Sequence, residues 1–210
     1  MAVEIIEGDQ ATIRFDSGRC IHSRRCVMSQ PGVFRANVVG EWIDPGAADP
    51  EALAAVAVNC PSGAIHVTRK DGKAETAPLA NIIVIRENGP LAVHADLTIK
   101  GQEAQFRATL CRCGLSKNKP YCDTSHAGAF VATGEPPTQP STLAIIELIG
   151  PVEITPFPNG PLGVKGAIEI ESGTGRAVNR VTQTTLCRCG HSTNKPYCDG
   201  THKKVGFEAP

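Results

Sequence analysis

Residues 111–126, CRCGLSKNKPYCDTSH, return at 187–202 as CRCGHSTNKPYCDGTH. Without a gap, the copies agree at 12 of 16 positions, and every Cys and His stays in register at an offset of 76 residues. A repeat that preserves metal-type residues constrains the fold more than any other feature of this chain. Each copy offers three thiolates and one imidazole, a donor set that suits zinc or an iron–sulfur cluster. Zinc loops usually space paired Cys as C-x2-4-C, so that a small loop wraps one ion. Here Cys111 and Cys113 are two apart, as are Cys187 and Cys189. In an extended chain such residues point the same way, roughly 6.6 Å apart. They could converge on one iron, leaving Cys122 and His126, or Cys198 and His202, for a second. The spacing favours two irons per copy and leaves a single zinc open.

The pattern C-x-C-x2-S-x3-P-x-C-D-G-S/T-H resembles the CDGSH, or NEET, iron–sulfur family. Ser116, Pro120, Cys122, Asp123 and His126 fill it in the first copy. Ser192, Pro196, Cys198, Asp199, Gly200, Thr201 and His202 fill it in the second. The resemblance implies two [2Fe–2S] clusters, one held by Cys111, Cys113, Cys122 and His126, the other by Cys187, Cys189, Cys198 and His202. The first copy departs from the pattern at Thr124, where the family has Gly. If that Gly supplies an unusual backbone angle, the turn before His126 is expected to be slightly altered.

Composition suits a metal-stapled protein. Aromatic residues make up 4% of the 210, against 21 Gly and 16 Pro. Such a chain builds small cores, which need staples, and metal binding supplies folding energy. The formal net charge is zero, so no basic surface argues for nucleic acid. No apolar run reaches membrane length. The first residues, MAVEIIEGDQ, lack the features of signal and transit peptides. Nine Cys is an odd number, which disfavours a disulfide framework. Reduced thiols and a cytoplasmic, bacterial location are the expectation.

The other three cysteines are Cys20, Cys26 and Cys60. Residues 12–16 alternate as a strand, and Ser17-Gly18 ends it. Asp49-Pro50-Glu51 reads as a helix start, and 50–58 is an Ala/Val/Leu-rich helix that packs inward. It leads into Cys60-Pro61 and a short strand at 65–68. Bacterial ferredoxins carry C-x2-C-x2-C and a remote Cys-Pro. Cys20, Cys26 and Cys60 match three of those positions, with Ser23 at the fourth. Together with Val33-Phe34, EWI at 41–43 and NCPSGAI, this resembles the divergent mono-cluster ferredoxins over most of 3–70. The resemblance implies a cluster on three thiolates: [3Fe–4S], or [4Fe–4S] with His22, Ser23 or solvent as a fourth ligand.

Residues 70–78 read as a linker. Strands are expected at 81–86 and 92–99, around the turn Asn88-Gly89-Pro90-Leu91. The turn recurs at Asn159-Gly160-Pro161-Leu162, followed by a strand at 163–170, with 143–149 as the matching strand before it. The repeat unit is therefore larger than the cluster segment, and its spacer is five residues longer in the second copy. GEPPTQPS at 134–141 reads as a semi-rigid connection. Phe130 and Phe207 follow the two segments and are expected to cover apolar sides of the clusters.

The expected fold is α+β, small and β-rich, with a ferredoxin-like domain at 1–75 and CDGSH units at 80–134 and 142–210. Single-motif members of the family resemble two-fold dimers sharing a β cap. Two copies on one chain imply an intramolecular pseudo-dimer over 80–210, and a monomer. No Ser–His–Asp set, carboxylate pair or phosphate loop stands out, so an enzyme is not expected. Electron transfer with an unknown redox protein is the main reading. Cluster storage or delivery to an acceptor protein is the alternative, and a zinc-stapled scaffold the third.

Overall fold

A computed structural model describes residues 2–144 and 147–210. It is β-rich with few helices, and it divides into two compact units, Met1–Thr76 and Ala77–Pro210.

In the first unit, β1 (Val3–Glu7), β2 (Ala11–Asp16) and β3 (Ile65–Arg69) form an antiparallel sheet in the order β1-β2-β3. Strict alternation buries Ala11, Ile13 and Phe15 on one face of β2. Between β2 and β3 run α1 (Arg25–Ser29), a 3-10 turn (Pro45–Ala47) and α2 (Pro50–Asn59). The start of α2 follows its local chemistry. Pro50 occupies the first turn, and the Asp49 carboxylate accepts the Ala52 N–H at 2.8 Å. Leu53, Val56 and Ala57 turn inward and pack with Ile13, Val33, Phe34, Ile43 and Ile65.

The second unit is built from two copies of a three-stranded element. The first contributes β4 (Ile82–Ile85), β5 (Leu91–Ile99) and β6 (Gln105–Leu110). The second contributes β7 (Pro151–Pro156), β8 (Leu162–Glu171) and β9 (Ala177–Leu186). Within each copy the strands pair antiparallel, β4–β5–β6 and β7–β8–β9. Between copies, β4 runs parallel to β8 and β5 runs parallel to β7. Exchanging the copies leaves this pairing pattern unchanged. The register irregularities repeat too: β5 shifts between His94 and Leu97, and β8 between Lys165 and Ile168. Both copies feed one core, with Leu91, Val93, Leu97 and Ile99 against Val152, Ile154, Leu162, Val164, Ile168 and Ile170.

The expected strand at 143–149 is corrected. Among its described residues none is strand, and Ile145 and Ile146 lie outside the described residues. The strand before the second turn is β7, which starts at Pro151, where a missing N–H costs a strand least. The Ile-rich run drew the expectation to the wrong side of Gly150. Residues 134–141 do not hang free. Gln139 N–H donates to Val178 O on β9 at 2.8 Å, and the Arg176 guanidinium donates to Pro136 O at 2.7 Å. A short helix, α3 (Thr201–Lys204), follows the second cluster segment. Among the described residues no helix is long and apolar enough to cross a membrane.

Asn81, 1% exposed, ties the copies together with one side chain. Its Nδ2 donates to Gly150 O and to Ala167 O, at 2.9 and 3.0 Å, and its Oδ1 accepts Asp96 N–H at 3.0 Å. Ala167 and Asp96 sit in the irregular stretches of β8 and β5, where ladder bonding is interrupted. We expect N81A to destabilise the protein by about 2–4 kcal/mol, because it leaves buried polar groups of both copies unpaired. Denaturant unfolding of the second unit's signal checks this; a loss below about 0.5 kcal/mol would show that water replaces the amide without cost.

Candidate metal centres

Each cluster segment leaves the end of a strand and folds back on it. Cys111 N–H donates to Pro120 O at 2.9 Å, and Cys122 N–H to Thr109 O at 2.9 Å. In the second copy Cys187 N–H donates to Pro196 O at 2.7 Å, and Cys198 N–H to Thr185 O at 2.9 Å. The loop is closed by its own polar residues. Ser116 Oγ donates to Tyr121 O at 2.7 Å and accepts Asn118 N–H at 3.0 Å. Ser192 repeats both bonds, at 2.6 and 3.1 Å. Asp123 accepts the N–H groups of Lys117 and Ser125, and Asp199 those of Thr193 and Thr201. Those donors hold the Asp199 carboxyl well below the usual carboxylate range. Lys119-Pro120 and Lys195-Pro196 are both cis.

This scaffold sets the donors in pairs. The Sγ atoms of Cys111 and Cys113 are 3.6 Å apart, and those of Cys187 and Cys189 are 3.8 Å apart. Cys122 Sγ lies 3.4 Å from His126 Nδ1, and Cys198 Sγ 3.4 Å from His202 Nδ1. Among the described residues no three of His, Cys, Asp and Glu gather as they would around one ion. Backbone N–H groups are aimed at the sulfurs. Leu115 donates to Cys113 and Thr124 to Cys122, both at 3.4 Å; His191 donates to Cys189 at 3.5 Å and Gly200 to Cys198 at 3.4 Å. Such bonds favour thiolate over thiol. Burial works the other way and pushes the Cys122 thiol up to about 11. Bound iron would reverse that, since a coordinating thiol is deprotonated. Soft donors in pairs, N–H groups directed at sulfur and a buried setting fit an iron–sulfur centre.

The expectation for Thr124 is corrected in its consequence. Thr124 holds φ +70, in the left-handed region, just as Gly200 holds φ +85, and each donates its N–H to the preceding Cys at the same distance. The turn is kept, and the β-branched residue bears strain there instead.

Several residues of these centres escaped the sequence reading. The two cluster loops touch each other, through an antiparallel bridge between Cys113 and Cys189. Gly114 and Gly190 follow them with φ +82 and +84. A Cβ on Gly114 would lie 2.5 Å from Cys189 O, and one on Gly190 would crowd Cys113 O in the same way. Arg112 and Arg188, each between two cysteines, are 1% exposed and are the largest fully buried side chains. Arg112 donates to Gly89 O, Arg86 O, Ala132 O and Thr133 O, which joins the N-G-P-L turn to the tail of its copy. Arg188 does the same through Gly160 O, Phe157 O and Pro210 O. The guanidinium of Arg112 stacks on Phe130, which packs against Cys111 and Cys113, and that of Arg188 stacks on Phe207. The signal was an identical Arg and an identical Gly beside the ligands in both copies.

In the first unit, Cys20, Cys26 and Cys60 line one cavity of about 390 Å³, together with His22, Ser23, Trp42 and Ser62. Cys60 caps α2, and Trp42 stacks edge-on against Phe15 at 4.9 Å. His22 and Arg24 hold φ +53 and +62, which bends the C-x5-C loop around the cavity. Nδ1 of His22 stands 4.0 Å from Cys20 Sγ, and Ser62 Oγ 3.7 Å from Cys60 Sγ. Burial raises the Cys20 and Cys26 thiols, and the neighbouring Cys60 adds to it. Ser23 lines the same cavity.

The family described as "Iron-binding zinc finger CDGSH type" matches residues 88–127 and again 159–203. The family described as "Divergent 4Fe-4S mono-cluster" matches residues 6–70. No curated protein matches the chain.

We expect T124G to stabilise the second unit by about 1 kcal/mol, and G200T to destabilise it similarly, since left-handed backbone costs an L-residue about that much. Thermal unfolding of both variants checks the pair; a T124G that unfolds earlier than the parent would place the strain elsewhere.

Proposed function

We propose that this chain, which joins two CDGSH-type iron-binding segments to a divergent mono-cluster iron–sulfur segment, is a one-electron carrier and not an enzyme. The observation that carries the reading is the division of each CDGSH donor set into two pairs. A single zinc ion asks for four donors around one point. Two pairs suit a two-iron centre, with Cys111 and Cys113 on one iron and Cys122 and His126 on the other. Cys187 with Cys189, and Cys198 with His202, repeat the arrangement. Bound clusters would supply one-electron chemistry, with potentials tuned by hydrogen bonds to sulfur, charge and solvent exposure.

The chain's residues divide the work by exposure. Cys111, Cys113, Cys187 and Cys189 are at most 8% exposed and keep water from the inner side of each site. His126 and His202 are half-buried and form the outer side, where another protein can approach. We read the unchanged pairing pattern on exchange of the copies as an intramolecular counterpart of a two-chain dimer, so that the chain works as a monomer. Delivery of whole clusters to an acceptor protein is the second reading. It draws on the same half-buried imidazoles, which are the ligands an acceptor would displace.

For the first unit we propose a [3Fe–4S] cluster on Cys20, Cys26 and Cys60. A [4Fe–4S] cluster with His22 as the fourth ligand is favoured by one observation. A Cys sulfur faces an imidazole Nδ1 at 4.0 Å here, and at 3.4 Å in both other sites.

EPR-monitored redox titration of anaerobically purified, full-length protein tests the reading. It should show two reversible [2Fe–2S] couples and a third centre whose signal H22A leaves unchanged. Conversion of a four-iron into a three-iron signal by H22A would select His22 ligation. Irreversible reduction, together with iron and sulfide appearing on an added apo-ferredoxin, would select cluster delivery. Stoichiometric zinc would overturn both readings.

A further inference from the structure

Charge in the first unit is sorted by place. Residues 17–40, which carry Cys20 and Cys26, hold four Arg and no Asp or Glu. The rest of that unit, 1–16 and 41–76, holds ten acids against four basic residues. The sheet separates the two. Phe15 and Ile65 line the cysteine cavity at one end of the β2–β3 ladder. At the other end, where Ala11 faces Arg69, stand Glu7 with Lys70 and the ion pairs of Arg69 with Glu51 and Asp71.

Arg24 and Arg25 lie in the C-x5-C loop itself, exposed, and Arg24 lines the cavity. Among the described residues neither is held in an ion pair. Arg19 reaches the cavity wall, where its guanidinium donates to Ser62 O at 2.9 Å. The acids that flank the segment are Asp16, which accepts Gly18 N–H at 2.9 Å, and Glu41. Met28, on the same short helix as Cys26, is 76% exposed and adds an apolar side chain to the cationic loop. Cys60 is buried, whereas Cys20 and Cys26 are half-buried. The side of the site nearest to solvent therefore lies under this loop. Electron transfer weakens steeply with distance, so that is where a redox partner must approach. His22 and Arg24 hold left-handed φ, a cost that persists where the surroundings fix the backbone. The loop thus offers its charges from a preset backbone, which lowers the ordering cost of binding.

We propose that the loop from Cys20 to Cys26 is the docking face for an acidic one-electron redox protein, whose carboxylates pair with Arg24 and Arg25. The proposal rests on the carrier reading given above. One electron passes between the partner's centre and the first-unit centre, and no bond is made or broken. Guanidinium forks suit carboxylates in two-point contact. The acidic end of the unit orients such a partner and disfavours a long polyanion.

The test is rapid-freeze EPR of full-length, cluster-loaded protein mixed with a reduced, acidic plant-type ferredoxin. The second-order rate at which the first-unit signal changes should fall steeply as ionic strength rises from about 10 to 150 mM. R24E/R25E should slow that rate by about tenfold or more at the lower ionic strength and flatten its salt dependence. K70E/K73E, with the same change of net charge beyond the opposite end of β3, should stay close to the parent. Reduction by a neutral deazaflavin radical should be equal in the parent and in R24E/R25E. Equal ferredoxin rates in the parent and R24E/R25E, or a rate indifferent to salt, overturn the docking face and leave the carrier reading in place. A first-unit centre that the neutral radical cannot reduce reversibly overturns the carrier reading, and the docking face with it. Where R24E/R25E fails to load, R25E alone decides, since Arg25 lies outside the left-handed pair: a slowed rate supports the docking face and an unchanged one overturns it. Arginine-dependent binding of a DNA duplex or of phosphatidylserine vesicles, with a ferredoxin rate indifferent to both arginines, assigns the face to another polyanion and overturns the proposal.

Discussion

The second unit depends on one backbone contact. Cys113 and Cys189 meet in an antiparallel bridge, so that a candidate ligand of one centre is fastened to a candidate ligand of the other. The contact is close enough to need glycine on both sides. Gly114 and Gly190 hold positive φ, and neither position has room for a Cβ against the opposing carbonyl. Everything around the bridge serves to hold it. The crossed pairings β4–β8 and β5–β7 bring the copies to a common core, and the Asn81 side chain bonds groups on both sides of it. The cluster loops then leave β6 and β9 at matching positions and reach one another.

Close to that contact lies buried charge. Arg112 and Arg188, each one residue from a bridged cysteine, are buried in a low-dielectric interior, where charge acts over longer distances than at the surface. Carbonyls of the N-G-P-L turn and of the tail solvate each guanidinium in place of water. Asn88 and Asn159 prepare the turns for this. Both adopt the left-handed conformation that Asn tolerates, and their side chains accept Ala132 N–H and Ala209 N–H from the tails. Turn, arginine and tail form one polar assembly behind each metal centre.

Much of this was legible in the residues. The repeat located both Cys/His segments, and the second N-G-P-L turn showed that the repeated unit extends beyond them. Asp49-Pro50 marked the start of α2, and alternation marked β2. Other features were hidden for physical reasons. The strand β7 begins at a proline and was masked by a more apolar run before Gly150. The longer spacer in the second copy is taken up by β9, ten residues against six in β6, and by β8, ten against nine in β5, differences that depend on pairing between distant segments. Thr124 looked like a change of geometry and is a change of strain, because tertiary contacts hold the same turn with either residue. The burial of Arg112 and Arg188 could not be read from charge pattern, since arginine at such positions is ordinarily exposed. The turn, the tail and a phenyl ring, brought together from distant parts of the sequence, surround it in each copy.

The central claim is that the two CDGSH centres stand or fall together through the bridge. The direct measurement is the number of clusters lost, and the rate of each loss, in full-length G114A. The substitution lies in the first copy, but its added methyl meets Cys189 O of the second. The account predicts that the signals of both CDGSH centres decay together and faster than in the parent, while the signal of the first unit persists. Loss of the first-copy signal alone, with the second-copy centre as long-lived as in the parent, would contradict it.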